Sequence, residues 1–384
     1  MRPHDHTLIR DIDVFDHTYL PEYFNHRDAQ LRELAYLIDP ALQGGSPGSA
    51  ILRGPPGTGK TTAVRRVFAE IEKISRNESA RELVPVYVNC RQSHTLIAVY
   101  RCIATRLLGY MPPSRYLEDI RDGIAARLQE KDANLIVCLD DADYLIAAGT
   151  YNTLLYQLLR FYERWEDLRG AGIFAVTNDL RLNLYAEADC AVRSVFYPTE
   201  ITFSPYTTAE IREILGDRVR QGLYPGVVPA GVLDLVAKVT ADIRDIRTGI
   251  DLVRAATTRA GAEGRRRVTR RDVLDVVSGV KSPVLAARTA ALTSGERALL
   301  YRLAEQSLSG DDAMMAGTVF EEVQEYLAVG KTTYHARLRR LADAGIIDLL
   351  WTRRGHEVFL RYPPGEIFSA CARAAADRAP TGVG

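Results

Sequence analysis

The eight residues GPPGTGKT at positions 54–61 carry types whose spacing suits phosphate chemistry. Their glycines let successive backbone N–H groups wrap phosphate oxygens without Cβ clashes, and a helix starting there adds a favourable dipole. In such a loop Gly57, Thr58, Gly59 and Thr62 surround the phosphates. Lys60 reaches the β- and γ-phosphates, and the Thr61 hydroxyl ligates Mg²⁺. That chemistry needs a carboxylate at the end of a neighbouring strand, and LIVCLDDAD at 135–143 supplies one. Asp140 is placed to hold Mg²⁺ and Asp141 to orient an attacking water. An acidic cluster after a strand is by itself a solvated turn; the phosphate loop decides the matter for Asp140. A further apolar run ends in Thr177-Asn178-Asp179, where the Asn178 amide either meets water and the γ-phosphate or serves a turn.

These residues must be held by strands that alternate with helices. The sequence predicts strands at 50–54, 83–90, 135–141 and 171–179, and a helix burying Val64, Val67, Phe68, Ile71 and Ile74. Continuous apolar strands between helices indicate an α/β domain with a parallel sheet covered on both faces. After FSPYT at 203–207 no further strand is expected until the C-terminal part. Helical periodicity runs from Thr208 to about residue 280, giving an all-helical domain, and Pro283 suggests a boundary. The last part reads as short helices, then two strands at 346–351 and 356–362 joined by TRRG, the pattern of a winged helix. The expected domains are 1–204, 205–280 and 281–384, with fraying after Ala372.

In the 384 residues, 47% hydrophobic and 26% charged content excludes disorder as the general reading. The 49 Lys+Arg balance 49 Asp+Glu, which excludes a uniformly basic nucleic-acid coat. No apolar stretch approaches the ~20 residues that span a bilayer, and the N-terminal residues offer no signal-peptide core. Five scattered cysteines without a C-x-x-C pair speak against a zinc site or disulfide framework. The expectation is a cytoplasmic, nucleoid-associated protein with no membrane partner.

KTTYHARLRRLADAGII at 331–347 has the form of a recognition helix. Tyr334, Leu338 and Leu341 share one face. Thr332, Thr333, Ala336 and Arg340 occupy the other, with Arg337 and Arg339 on its flanks and Lys331 opening the helix as a further DNA-binding candidate. Short side chains admit such a helix to a major groove, and arginines fork onto guanine edges or phosphates. The hairpin tip carries Arg353, Arg354 and His356. Residues 331–361 hold seven Lys/Arg against three Asp/Glu, a net of +4 in a neutral chain. A solvated amphipathic helix in a protein–protein module is the bland alternative. RRRVTRRD at 265–272 reads as a polar loop between helices, and the HDH at 4–6 is assigned no role.

The order of these pieces resembles the AAA+ ATPases, and among them the archaeal origin-recognition and cell-division-control initiators. The resemblance runs from about Val14 to Tyr362. It begins with VFDHTYLPEYFNHRDAQLREL, which implies that Tyr19, Leu20, Pro21, His26 and Arg27 lie near adenine. VYVNCRQSHTLIAVYRCIATRLL looks like that family's helical insert, implying DNA contact around residues 91–100. VTNDL matches its first sensor (Asn178), and VRSVFYPTEITFSPY its arginine-finger run (Arg193). Tyr206 and Arg218 match residues lining the nucleotide, and Arg247 matches the second sensor, with Arg244 the alternative one turn away. The implied architecture is an AAA+ base, a helical lid and a C-terminal winged helix. The implied cofactors are ATP/ADP and Mg²⁺. The implied partners are double-stranded origin DNA and the replicative helicase, with self-association on DNA left open. The family usually has Asp-Glu where this chain has Asp140-Asp141. The shorter Asp141 implies slow hydrolysis and a nucleotide that acts as a switch.

Two other functions compete with origin recognition. A signal-transducing ATPase that regulates transcription also joins a phosphate loop to a winged helix, often with Asp-Asp. A helicase or clamp-loader motor would need fast turnover, which the Asp-Asp end opposes.

Overall fold

The computed structural model describes residues 7–21, 24–74, 82–180, 182–308, 314–327, 329–352 and 355–376. The chain divides into two compact units. One is built from Ile9–Pro225 and Leu233–Asp251, the other chiefly from Gly226–Val232 and the residues after Leu252.

The first unit runs α1 (Asp28–Leu42), β1 (Ala50–Arg53), α2 (Lys60–Ile74), β2 (Leu83–Asn89), α3 (Leu96–Leu108), α4 (Leu117–Glu130) and β3 (Asn134–Asp140). Then come α5 (Asp143–Ala147), α6 (Tyr151–Leu159), β4 (Gly172–Thr177), α7 (Cys190–Arg193) and β5 (Thr199–Thr202). The helix α8 (Thr208–Gly222) follows, and α9 (Ala230–Ile243) and α10 (Ile246–Ala262) are each divided between the units, after Val232 and after Asp251. All strand pairs in its sheet are parallel, in the order β2-β3-β4-β1-β5. Strand side chains alternate between faces, so β3 feeds two cores. Leu135, Val137 and Leu139 pack with Val99, Tyr100, Ile103 and Leu154; Ile136 and Cys138 pack with Leu34, Ile38, Val64 and Phe68. This two-sided burial is why β3 and β4 are apolar at nearly every position.

The four expected strands are present. The fifth, β5, was not anticipated from the sequence: of its four residues only Ile201 is buried, so TEIT carries almost no apolar signal. It nonetheless pairs along β1 from Ala50↔Thr199 to Arg53↔Thr202.

The second unit contains α11 (Arg270–Ala290), α12 (Ser294–Leu308), β6 (Met314–Met315), α13 (Ala316–Leu327) and α14 (Lys331–Asp343). It ends with β7 (Ile347–Thr352), β8 (Gly355–Leu360) and α15 (Pro364–Ala376). The strands form an antiparallel sheet in the order β6-β8-β7. Three helices leading into an antiparallel wing, with Leu299, Leu303, Tyr334, Leu338 and Val358 in one core, make a winged helix. Two expectations are corrected. The chain does not fray directly after Ala372, because α15 continues to Ala376 with Ala374 buried. Helix α11 runs through Pro283 without a break, anchored further on by the buried Leu285 and Thr289.

Candidate nucleotide site and nucleic-acid interface

Because the strands are parallel, their C-terminal ends converge on one edge of the sheet, where ligands bind in open α/β folds. Arg53 pairs with Thr177 and Asn89 with Asp140. Register therefore brings the phosphate loop after β1, the acids after β3 and Asn178 after β4 together. They line a cavity of about 380 Å³ with the start of α10 and one side of α8.

The loop is shaped by its glycines. Gly57 and Gly59 have φ of 73° and 91°, the left-handed region that a side chain rarely adopts. A Cβ on Gly59 would also lie 2.7 Å from the Tyr206 hydroxyl. Helix α2 begins at Lys60, so its free N–H groups face the loop. The Lys60 ammonium donates to the carbonyls of Gly54 (2.6 Å) and Pro55 (2.8 Å). Burial pulls its pKa down to about 8, against the opposing pull of Asp140 and Asp141. The loop thus holds a desolvated cation that an anion would relieve.

Across the cavity, Asp140 Oδ2 accepts from Thr61 Oγ1 (2.8 Å) and from the Tyr87 hydroxyl (2.6 Å). A hydroxyl and a carboxylate are hard oxygen donors, the set Mg²⁺ takes. Asp141 accepts from Asn178 Nδ2 at 2.7 Å, so Asn178 and the second acid form one pair. Burial, then the charges of Asp140 and Asp143, raise the Asp141 pKa above the usual carboxylate value. Its φ is 56°, a left-handed position that Asp and Asn tolerate best. Arg247, at the start of α10, lines the same cavity and is bound by Asp245. Arg244 is exposed just after α9 and outside the lining, so of the two candidates Arg247 is the one that lines the cavity.

Tyr19, Leu20 and Pro21 also line the cavity, as does Tyr206, whose hydroxyl lies beside Gly59. The buried Arg218 guanidinium stacks over Tyr19 at 4.5 Å and donates to the Val14 carbonyl at 2.8 Å. Arg27 is placed differently from the expectation. It lies outside the lining, stacks on Tyr206 at 3.9 Å and donates to the carbonyls of Thr58 (3.0 Å) and Ser204 (2.6 Å). It braces the phosphate loop from behind instead of facing a base. His26 is likewise outside the lining, with Nε2 at 2.9 Å from Glu213. Arg193 is exposed on α7, away from the cavity, with its guanidinium 3.8 Å from the Cys190 sulfur.

Sequence reading missed Tyr87 and Asp245. Tyr87 stands opposite Cys138, two places before the Asn89–Asp140 pair, so only the register could have revealed it. Asp245 is one of three acids around the helix start, and nothing in its type distinguishes it.

On α14, Tyr334, Leu338 and Leu341 are buried as expected, and Lys331, Thr332, Thr333 and Arg340 are exposed. Two arginines are less free than expected. Arg337 donates to the Gly295 carbonyl at 3.4 Å, and Arg340 lies 3.3 Å from the buried carboxylate of Glu296. The reason is local: Glu296 also takes the Thr293 N–H at the start of α12, and a nearby guanidinium balances its charge. Arg353 and Arg354 lie outside the described residues.

Among the described residues no helix is long and apolar enough to cross a membrane. Residues 23–164 match the AAA ATPase domain family, and residues 212–277 match the Cdc6 AAA+ ATPase-type lid domain. ORC1-type DNA replication protein 6 of Halobacterium salinarum is 37% identical over 350 residues, covering 91% of this chain and 90% of that protein. The Aeropyrum pernix ORC1 protein, solved in complex with DNA, superposes with a TM-score of 0.65 at 26% identity, over 97% of this chain and 99% of that one. The A. pernix ORC2 protein, solved as ADPNP-ADP complexes, shares the fold with a TM-score of 0.77 at 23% identity, covering 97% and 99%. With the phosphate loop, the acid pair and the lid in their places along its length, this chain belongs to the family of ORC1-type DNA replication proteins.

Proposed function

We propose that this chain initiates replication by gripping double-stranded origin DNA under the control of bound ATP or ADP with Mg²⁺. The replication role follows from family membership, and a transcription regulator is not favoured. The observation that carries the nucleotide reading is the single cavity shared by Lys60, Thr61, Asp140, Asp141, Asn178 and Arg247. Thr61 and Asp140 would hold Mg²⁺, which neutralises phosphate charge when bound. Leu20, Pro21, Tyr206 and Arg218 would enclose the base and sugar, while Gly57, Thr58, Gly59 and Thr62 surround the phosphates. The working division is a base at 1–204, a lid at 205–280 and a winged helix at 281–384, with the unbroken α11 spanning the last seam. DNA would meet Lys331, Thr332, Thr333, Arg337, Arg340, Arg353 and Arg354, with Arg193 serving a neighbouring copy. Helicase recruitment completes the reading.

Incubating the protein with sheared genomic DNA and ATP, then sequencing bound fragments, tests it. Enrichment at one or a few loci with repeated elements supports origin binding. Enrichment across many promoters supports the regulator instead, and capture without sequence preference removes the origin reading.

Hydrolysis would be slow, because Asp141 is one methylene shorter than Glu and a misplacement of about 1 Å can cost ~100-fold in rate. Asp141→Glu should therefore raise steady-state ATP turnover about tenfold or more. It should also lower the melting temperature slightly, since a left-handed backbone suits Asp better than Glu. Unchanged turnover in a folded variant would reject this account of the Asp-Asp end.

A further inference from the structure

Arg247 does not stand alone at the cavity. Asp245 accepts the Arg247 backbone N–H on Oδ1 at 3.0 Å, as a residue just before a helix does. The same carboxylate grips the guanidinium: Nε donates to Oδ1 (3.0 Å) and Oδ2 (3.2 Å), and Nη2 donates to Oδ2 (2.7 Å). A guanidinium has five N–H donors in a rigid plane. This clamp uses one edge and leaves the remaining N–H groups for another acceptor. Arg247 lines the cavity and contributes to the charge environment of Lys60, which places its cation in the electrostatic field of the phosphate loop.

Asp245 also touches that loop. A Cβ on Gly57 would fall 2.1 Å from Asp245 Oδ1 and 2.8 Å from its Cα. The backbone of residue 57 and the start of α10 are therefore in direct contact, and only glycine permits it. A carboxylate so close to a phosphate site would repel the ligand if it were not neutralised. Arg247 neutralises it.

We propose that Asp245 is the positioning residue for Arg247: it fixes the guanidinium with one edge committed, so that the other edge meets the terminal phosphate of a bound nucleoside triphosphate. This rests on the nucleotide reading above. It makes Asp245 and Arg247 one unit, a charge-neutral clamp that distinguishes triphosphate from diphosphate.

The test uses the full-length protein and its Asp245→Asn, Arg247→Ala and doubly substituted forms, with ATP and ADP affinities measured by titration calorimetry in Mg²⁺. Asn retains the helix-capping oxygen but loses the charged clamp. In Asp245→Asn the ATP/ADP affinity ratio should fall about tenfold, the scale of one charge-assisted hydrogen bond. ADP affinity should stay within about twofold, because the clamp serves the terminal phosphate. Arg247→Ala should weaken ATP binding more than Asp245→Asn does, because it leaves the carboxylate bare. Adding Asp245→Asn to Arg247→Ala should then recover part of the loss. An unchanged ATP/ADP ratio in Asp245→Asn, an equal fall for both nucleotides, or no recovery in the double form overturns the positioning role. Wild-type protein that binds neither nucleotide overturns the nucleotide reading itself, a result distinct from the other three.

Discussion

Lys60→Met should abolish the proposed nucleotide binding, lowering affinity for ATP and ADP at least ~100-fold, because two charge-assisted hydrogen bonds to phosphate are worth about 3 kcal/mol or more. The wild-type ammonium is already buried against the Gly54 and Pro55 carbonyls, and burial lowers its pKa to about 8. A folded-state pKa below the unfolded value means that the charge is held at neutral pH at some expense of stability. Methionine keeps the aliphatic stem and removes that charge. The variant should accordingly melt close to wild type when no nucleotide is present, relief of the buried charge offsetting the lost bonds to the Gly54 and Pro55 carbonyls, while losing the upward shift expected of wild type with nucleotide. Calorimetric titration and thermal melting read both effects. Retention of affinity within threefold would show that the phosphates are held elsewhere.

Tyr334→Ala should have the second large effect, on the winged helix. Tyr334 is fully buried, its ring centroid lies 5.1 Å from that of Phe320, and its hydroxyl donates to the Ala316 carbonyl at 3.0 Å. Truncating a buried aromatic costs about 3–5 kcal/mol, which is much of the stability of a small domain. Removing only the hydroxyl, in Tyr334→Phe, leaves the Ala316 carbonyl without this donor and costs about 1 kcal/mol. DNA affinity should collapse in the Ala variant and survive in the Phe variant, while nucleotide affinity stays within about twofold in both. Melting curves with DNA- and nucleotide-binding assays on the same samples decide it. Full DNA binding by a variant that has lost the winged-helix melting transition would place the DNA contacts outside α14 and the wing.

Much of this was legible because certain residues admit few roles. The phosphate loop combines glycines that need left-handed backbone with a lysine and a threonine at fixed spacing, and β3 must be apolar on both sides because both sides are covered. The illegible parts are those set by long-range contact. Strand β5 has one buried residue, and its place beside β1 comes from pairing and not from its own side chains. Pro283 suggests an ending by local rule, since proline lacks the helix donor, yet α11 continues because packing further along holds it. Arg27 has the residue type of a ligand-binding group, and only the structure turns it toward the carbonyls of Thr58 and Ser204. Tyr87 and Asp245 acquire their roles from register and from a loop closure that no local pattern encodes.

The contact between Gly54 and Phe203, far apart along the chain, constrains movement. A Cβ on Gly54 would lie 2.2 Å from the Phe203 carbonyl oxygen, Phe203 N–H donates to the Arg53 carbonyl at 2.7 Å, and Arg27 holds Ser204 and stacks on Tyr206. Residues 203–206 are therefore fastened to the phosphate loop. Helix α8 starts immediately afterwards and is locked at its first turn by the reciprocal Thr207–Glu210 capping bonds. Thr207 belongs to both, because its own N–H donates to Glu210 Oε2 at 2.7 Å, so the strand end and the first turn of α8 form one continuous brace. Further along, α8 is tied again, by Arg218 to the Val14 carbonyl and by Gln221 to the Tyr19 hydroxyl, so the wall it gives the cavity is stitched down at both ends.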